Sequence, residues 1–404
     1  MKRHGPLVAG CAALIVSWLL LGHVGFWVRG QQSDTGFYQA YGTRVLDGEV
    51  PYRDFALEYP PAALPVFVLP ALGRPKAEPT YRHRFEWLMA LCGVFALAGV
   101  DAALRTLRAS AEARLATMLL IGVSPLVLGP VILTRFDLWP AALSIASLAA
   151  FLRGRSRLGA GVLGLATAAK LYPVVIAPVA LAHVWRRQGP RAAAWSAAVF
   201  AGVFAACVLP FAVLGPHGLL QSFTGQFERP LEIESLGAAF LIAAHHLAGL
   251  KLGVEVSHTS LALGGTSGTV VAAATTALEI AALCWVWVAC ARRRGAERQL
   301  VVGAAAAVAI FIAFGKVFSP QYLIWLLPLV PLVQGRLRVP AVCLLVAALG
   351  LTQTWIPRRF DALVRFQQPE SWLLLARDLV VVALALLLAS ALRAKDETPR
   401  AQTG

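Results

Sequence analysis

Asp34, Asp47, Asp54 and Glu58 stand with Arg44, Arg53 and several aromatic residues in one stretch of an otherwise apolar chain. Carboxylates suit general acid–base work, because a positioned one can take a proton from a reacting group. Arg135, Lys170, Lys316 and Arg358 lie at or near the ends of apolar runs. Cations so placed suit the stabilisation of an anion or of developing negative charge. Each of these residues also has a structural reading. Asp34 precedes helical periodicity, as an N-cap would. Asp54 can offset Arg53 in solvent, and Glu58 can tie its segment to a neighbouring arginine. Arg135 and Asp137 flank Phe136 at a helix end, where interfacial charges are common. Lys170 and Lys316 can snorkel. His245 and His246 are a lone pair without further ligand spacing and are read as structural.

The elements that must carry these residues are membrane helices. The 404-residue chain is 58% hydrophobic and 14% charged, with a mean hydropathy of +0.68. A soluble domain carries about a quarter charged residues. Apolar runs of about 20 residues, enough to span a bilayer, recur from end to end. The first, 6–27, follows Lys2 and Arg3 and lacks a small-x-small cleavage site, so it is read as a retained helix. No hydrophilic stretch is long enough for a soluble domain, and residues 1–404 are expected to form one membrane domain. The net charge of +15 is scattered over short loops, which excludes a nucleic-acid surface. The six cysteines lie in or at the edges of apolar runs, so neither a disulfide framework nor a Cys/His metal site is implied.

Short loops rich in Lys and Arg favour the cytoplasm. Loops 105–114, 153–157, 185–191, 292–298 and 335–338 hold 15 such residues against Glu112 and Glu297. The basic N-terminus and the tail 393–404 join them inside. The run 158–184 has basic loops at both ends and so must enter and leave on one side. One straight span would also strand Lys170 near the bilayer centre, at a cost of about 2.5–3.5 kcal/mol. Two short helices with Lys170 and Pro173 at their tip solve both problems. Run 61–72, opened by Pro60 and Pro61, reads as a short helix at the outer interface. About twelve helices result, over 6–28, 85–107, 115–133, 137–152, 158–169, 171–184, 191–214, 268–291, 299–315, 319–334, 338–356 and 371–392. The expected fold is an all-α polytopic membrane protein with a structured first extracytoplasmic loop.

Three outer segments follow from this map: 29–84, 215–267 and 357–370. In the first, Phe37, Tyr38, Tyr41 and Val45 fall at helical spacing, predicting an interfacial amphipathic helix over 35–46. Asp47 and Gly48 end it with a turn. A loop this long and this patterned is expected to be functional.

Four blocks of residues resemble glycosyltransferase family 87. They are Asp34 to Tyr41 with Gly48 to Phe55 and Glu58 to Pro61; Arg135 to Pro140; Gly161 to Pro173; and Ser319 to Pro328. They occur in the family's order and cover the chain from 34 to about 330. The resemblance implies a GT-C fold, a polyprenyl-phosphate sugar donor, typically of mannose, and a glycolipid or glycan acceptor outside the membrane. It also implies an acidic general base in the first outer loop, and Asp34 is the matching position. Members that extend mannosylated phosphoinositides have a His-bearing motif where this chain has Ser319, Pro320, Gln321 and Tyr322. Their acceptor is therefore not carried over, and pentose-phosphate lipids serve other GT-C enzymes.

A donor dissolved in the membrane needs no nucleotide-binding module. The sequence agrees in lacking a soluble domain, an Asp-x-Asp motif and a phosphate loop. The expected reaction is a single inverting displacement, with Asp34 taking the acceptor proton and no cofactor required; a divalent metal stays open. Lys170 and Arg135, then Arg358 and Lys316, are the candidate cations for the leaving phosphate. Asp137, Asp54, Glu58, Tyr59, Gln321 and Tyr322 are candidate substrate contacts, with Tyr38, Tyr41 and Tyr172 also placed to stack on sugar. Membrane lipid is the remaining partner. The expected location is the plasma membrane, multi-pass, with both termini cytoplasmic and the active site extracytoplasmic. The rival reading is a transporter or flippase, which would show repeats and broken helices at matching positions in two halves; no such repeat is found. A non-catalytic assembly partner is the third reading.

Overall fold

The computed structural model describes residues 4–21, 33–257, 260–292 and 297–393. Its helices are α1 Gly5–Leu20, α2 Thr35–Leu46, α3 Leu64–Ala71, α4 Glu78–Thr106, α5 Ala111–Leu128 and α6 Val131–Thr134. Then come α7 Leu138–Leu152, α8 Ser156–Ala169, α9 Ala177–Gln188, α10 Pro190–Leu214, α11 Pro216–Glu228 and α12 Leu236–Ala248. The last six are α13 Gly265–Ala291, α14 Glu297–Phe314, α15 Leu323–Leu326, α16 Arg338–Trp355, α17 Phe360–Val364 and α18 Gln368–Ala391. Among the described residues, α4, α5, α10, α13, α14, α16 and α18 are long and apolar enough to cross a membrane. The protein is a polytopic, predominantly α-helical membrane protein.

Local chemistry sets many of the boundaries. Pro190 and Pro216 open α10 and α11 in first-turn positions that need no amide donor. Ser110 caps α5 by accepting from the Ala113 amide at 3.1 Å. Gly189, at φ 90°, turns the chain between α9 and α10. The alanine-rich α14 is almost wholly buried and forms the centre of the bundle. Where α1 crosses α5, Gly10 and Gly122 face the partner's backbone with no room for a Cβ. Small residues at such crossings bring helices close, the main source of packing energy in lipid. By contrast, α10 buries little of its surface, as a lipid-facing helix should.

At Lys170 the chain leaves α8 in extended geometry, φ −158°, and Pro173 begins a 3-10 turn over Tyr172–Ile176 before α9. The chain reverses there. Ser156 at the start of α8 donates to Gln188 Oε1 at the end of α9, at 2.9 Å.

Two elements differ from the sequence expectation. The segment 319–334 is not a continuous helix: it runs as a 3-10 turn Pro320–Tyr322, then α15, then a 3-10 turn Val330–Leu332. Pro320, Pro328 and Pro331 have no amide to donate to a continuous helix, and Ser319, before Pro320, is extended at φ −87° and ψ 150°. Segment 215–267, for which the sequence predicted no elements, is structured. Strands β1 Leu231–Glu232, β2 Val254–Ser257 and β3 Ser260–Leu263 form an antiparallel sheet in the order β1-β3-β2. Together with α12 they pack on the C-terminal end of α16 and the N-terminal part of α18 through Ile233, Ile242, Trp355 and Leu374. Residues 22–28 of the first expected helix, 29–32 of the first outer segment and 394–404 of the tail lie outside the described residues.

Candidate functional site

The segment 33–84 is wrapped onto the bundle by its aromatic residues. Tyr38 on α2 is buried against Phe67 of α3, stacked at 4.5 Å, and edge-on to Phe136 at 5.8 Å. Tyr59 packs on Phe136 at 4.8 Å, and the Tyr52 hydroxyl donates to the Tyr59 carbonyl at 2.5 Å. Tyr52 has φ 67°, in the left-handed region that a bulky residue avoids. Its backbone lies so close to Gly215 and Gly218, at the α10–α11 junction, that neither could carry a Cβ without displacing it.

This packing fixes Asp34. The residue occupies the N-cap position of α2, yet its side chain makes no capping hydrogen bond. Its Oδ2 pairs with the Arg135 guanidinium and accepts from the Tyr38 hydroxyl at 3.3 Å. The two partners in that ion pair are 24% and 15% exposed, so the acid can still be reached.

Arg135 follows α6, and two residues on Asp137 begins α7 with its side chain only 1% exposed. A charge buried this deeply demands partners. Asp137 Oδ1 accepts from Lys170 Nζ at 2.6 Å and from Trp325 Nε1 at 2.6 Å. The Lys170 ammonium sits 4.7 Å from the Phe136 ring centroid, 5.2 Å from Trp325 and 5.4 Å from Tyr322. The hairpin tip, the start of α7 and the broken segment around α15 therefore meet at one carboxylate.

A third group comes from the segment after α11. Arg229 is mostly buried, donates to Ser260 Oγ at 3.0 Å and lies 3.5 Å from Glu232 Oε1. Its electrostatic neighbours include Tyr322, Glu58 and Tyr59. Glu232 Oε1 also accepts from Ser319 Oγ at 3.0 Å. Glu232 and Glu234 are buried two residues apart, and burial raises both carboxyls, with Glu232 raising Glu234 further. Arg135 has Asp137, Glu234 and Glu232 around it. Arg377, fully buried on α18, donates to the Glu234 carbonyl at 2.6 Å and stacks on Phe318 at 3.7 Å.

The structure thus gathers Asp34, Tyr59, Arg135, Asp137, Lys170 and Tyr322. Glu58 is half-buried beside them, its carbonyl held by Gln226 Nε2 at 3.1 Å. Gln321 is half-buried in the 3-10 turn before α15. Three other residues do different work. Asp54 is bound by Arg53 at 2.9 Å in two hydrogen bonds and by the Val50 amide at 2.7 Å, so it closes a surface turn. Lys316 donates to the Phe227 carbonyl at 2.6 Å and fastens the end of α11. Arg358 is exposed in the turn between α16 and α17.

Sequence reasoning passed over Arg229, Glu232, Glu234 and Trp325. A faint signal existed, since Glu232 and Glu234 alternate around Ile233 as residues sharing one strand face do. Among the described residues no group of three or more His, Cys, Asp or Glu side chains is placed to hold a metal ion.

Glycosyltransferase family 87 matches residues 57–320, well over half of the chain. This chain belongs to that family. The matched span contains Arg135, Asp137, Lys170, Arg229 and Glu232, whereas Asp34 and Trp325 lie on either side of it. No curated protein matches. Among solved structures, ArnT from Cupriavidus metallidurans in the apo state is similar over 97% of this chain and 77% of that one. The identity is 15% and the TM-score 0.49, too distant a likeness to place any side chain. Family membership makes this family 87 protein a membrane glycosyltransferase, and it sets aside the transporter and scaffold readings.

Proposed function

We propose that this protein transfers a sugar, mannose in the first instance, from a polyprenyl-phosphate donor to a glycolipid or glycan acceptor at the extracytoplasmic face. One observation carries the reading: Asp34 is held by Arg135 at the edge of a buried set of cations, Arg135, Lys170 and Arg229. The acceptor oxygen attacks the anomeric carbon while Asp34 takes the hydroxyl proton. The bond from that carbon to the phosphate oxygen breaks, and the lipid phosphate leaves with the electron pair, inverting the anomeric centre. Lys170 and Arg229 meet the departing charge, since fixed cations act most strongly where charge develops away from water. Tyr59 and Tyr322 offer ring faces to the sugar. The membership of a glycosyltransferase family and the convergence of these groups from three separated segments support the assignment.

The same reading places both termini and the five basic loops in the cytoplasm, and the site at the outer surface of the plasma membrane. The test is transfer by purified, lipid-reconstituted protein from radiolabelled polyprenyl-phosphate mannose into total envelope lipid extract. Wild type should move label into a new glycolipid, and folded Asp34→Asn should lose about 10²–10⁴-fold of the rate, the usual worth of a general base. Full activity in that variant would exclude Asp34 as the base.

A further inference from the structure

We propose that Trp325 is a positioning residue which, through Asp137, sets the Lys170 ammonium for an anionic ligand. The inference rests on the reading that Lys170 meets the donor's phosphate. Lys170 and Trp325 both donate to Asp137 Oδ1, each at 2.6 Å. Two donors on one oxygen fix the carboxylate's rotation and share its charge. The indole thereby loosens the acid's hold on the ammonium while keeping that ammonium in place.

Trp325 is itself locked. Its indole lies between Tyr172, at 3.9 Å and parallel to within 1°, and Tyr322, at 4.0 Å and 22°. Tyr172 is anchored through its hydroxyl to Ser144 Oγ at 3.2 Å. The stack joins the hairpin tip to the segment around α15, and Trp325 is only 2% exposed. An ammonium carries three donors. Asp137 takes one of them, and the flanking rings of Phe136, Tyr322 and Trp325 offer a cation no competing hydrogen bond. A cation set in this way reaches an anion without first reorganising.

Trp325→Phe keeps an aromatic ring in the stack and removes the N–H together with part of the indole's area, a packing loss common to both backgrounds of the cycle. The experiment measures binding of polyprenyl phosphate, the sugar-free lipid, by thermal shift of full-length protein in detergent. Four proteins are compared: wild type, Trp325→Phe, Lys170→Gln and the double variant. Trp325→Phe should weaken binding about tenfold in the wild-type background and less than about twofold in the Lys170→Gln background, because a residue acting through another is not additive with it. An equal loss in both backgrounds means a merely structural role and overturns the proposal, as does unchanged binding in Trp325→Phe. If Trp325→Phe lacks a cooperative melt, Asp137→Asn takes its place in the same cycle. A wild type that does not bind polyprenyl phosphate would overturn the donor reading, and this inference with it. A wild type that binds with an additive cycle would overturn this inference alone.

Discussion

Asp34 and Asp54 stand in the same outer segment and differ in what holds them. The Arg53 guanidinium, then the Val50 amide, pull the Asp54 carboxyl down to about 2. Asp54 engages both oxygens in a surface turn with Arg53 and Val50, whereas Asp34 stands beside the buried cations through Arg135. Asp54→Asn should therefore keep transfer within about threefold of wild type, where Asp34→Asn loses orders of magnitude. Initial rates on matched, folded proteins check both. Glu234 supplies a pH test. Burial, and then Glu232, raise its carboxyl well above the ordinary value, so folding favours the protonated form. Its contribution to stability is complete below about pH 4 and is lost as pH rises through the raised value. Glu234→Gln cannot ionise, so its melting temperature should fall less than that of wild type between about pH 5 and pH 9. Parallel curves for the two proteins would show that Glu234 does not titrate in that range.

At the scale of elements, the first outer segment keeps its place because two glycines admit it. A Cβ at Gly218 would meet the Tyr52 carbonyl, and Tyr52 already holds a left-handed backbone. Gly218→Ala should cost about 1–3 kcal/mol, the usual range for overpacking. It should also reduce transfer, since Tyr52 holds the Tyr59 carbonyl beside Phe136. Thermal melting and initial rates read the two effects. Elements were legible in the sequence where one strong signal governed them. Charge parity and Pro173 marked the reversal at Lys170, and aromatic spacing marked α2. The break across 319–334 was legible in its prolines but was outweighed by the hydrophobicity of Leu323 to Val333. The sheet of 231–263 was illegible because strands of two to four residues carry too little periodicity to stand out. The pairing of Asp34 with Arg135, and of Trp325 with Asp137, lies beyond any local pattern, since each joins residues about a hundred or more positions apart.

The whole molecule combines an apolar, little-buried helix surface with a polar site beneath segments 33–84 and 215–257. Positive charge in the short loops predicts which side each faces. A cysteine at Arg53 or His217 should react with an impermeant thiol reagent added outside intact cells. One at Arg155 should react only after permeabilisation. The opposite pattern would invert the topology and put the site in the cytoplasm. The central claim is a one-step displacement of lipid phosphate assisted by Asp34. It is tested most directly with a polyprenyl-phosphate sugar of known anomeric configuration, given to purified protein with its acceptor, and with the configuration of the new linkage read by nuclear magnetic resonance. Inversion in the wild-type product, with no product from folded Asp34→Asn, is the predicted result. Retention of configuration, or undiminished product from Asp34→Asn, would contradict it.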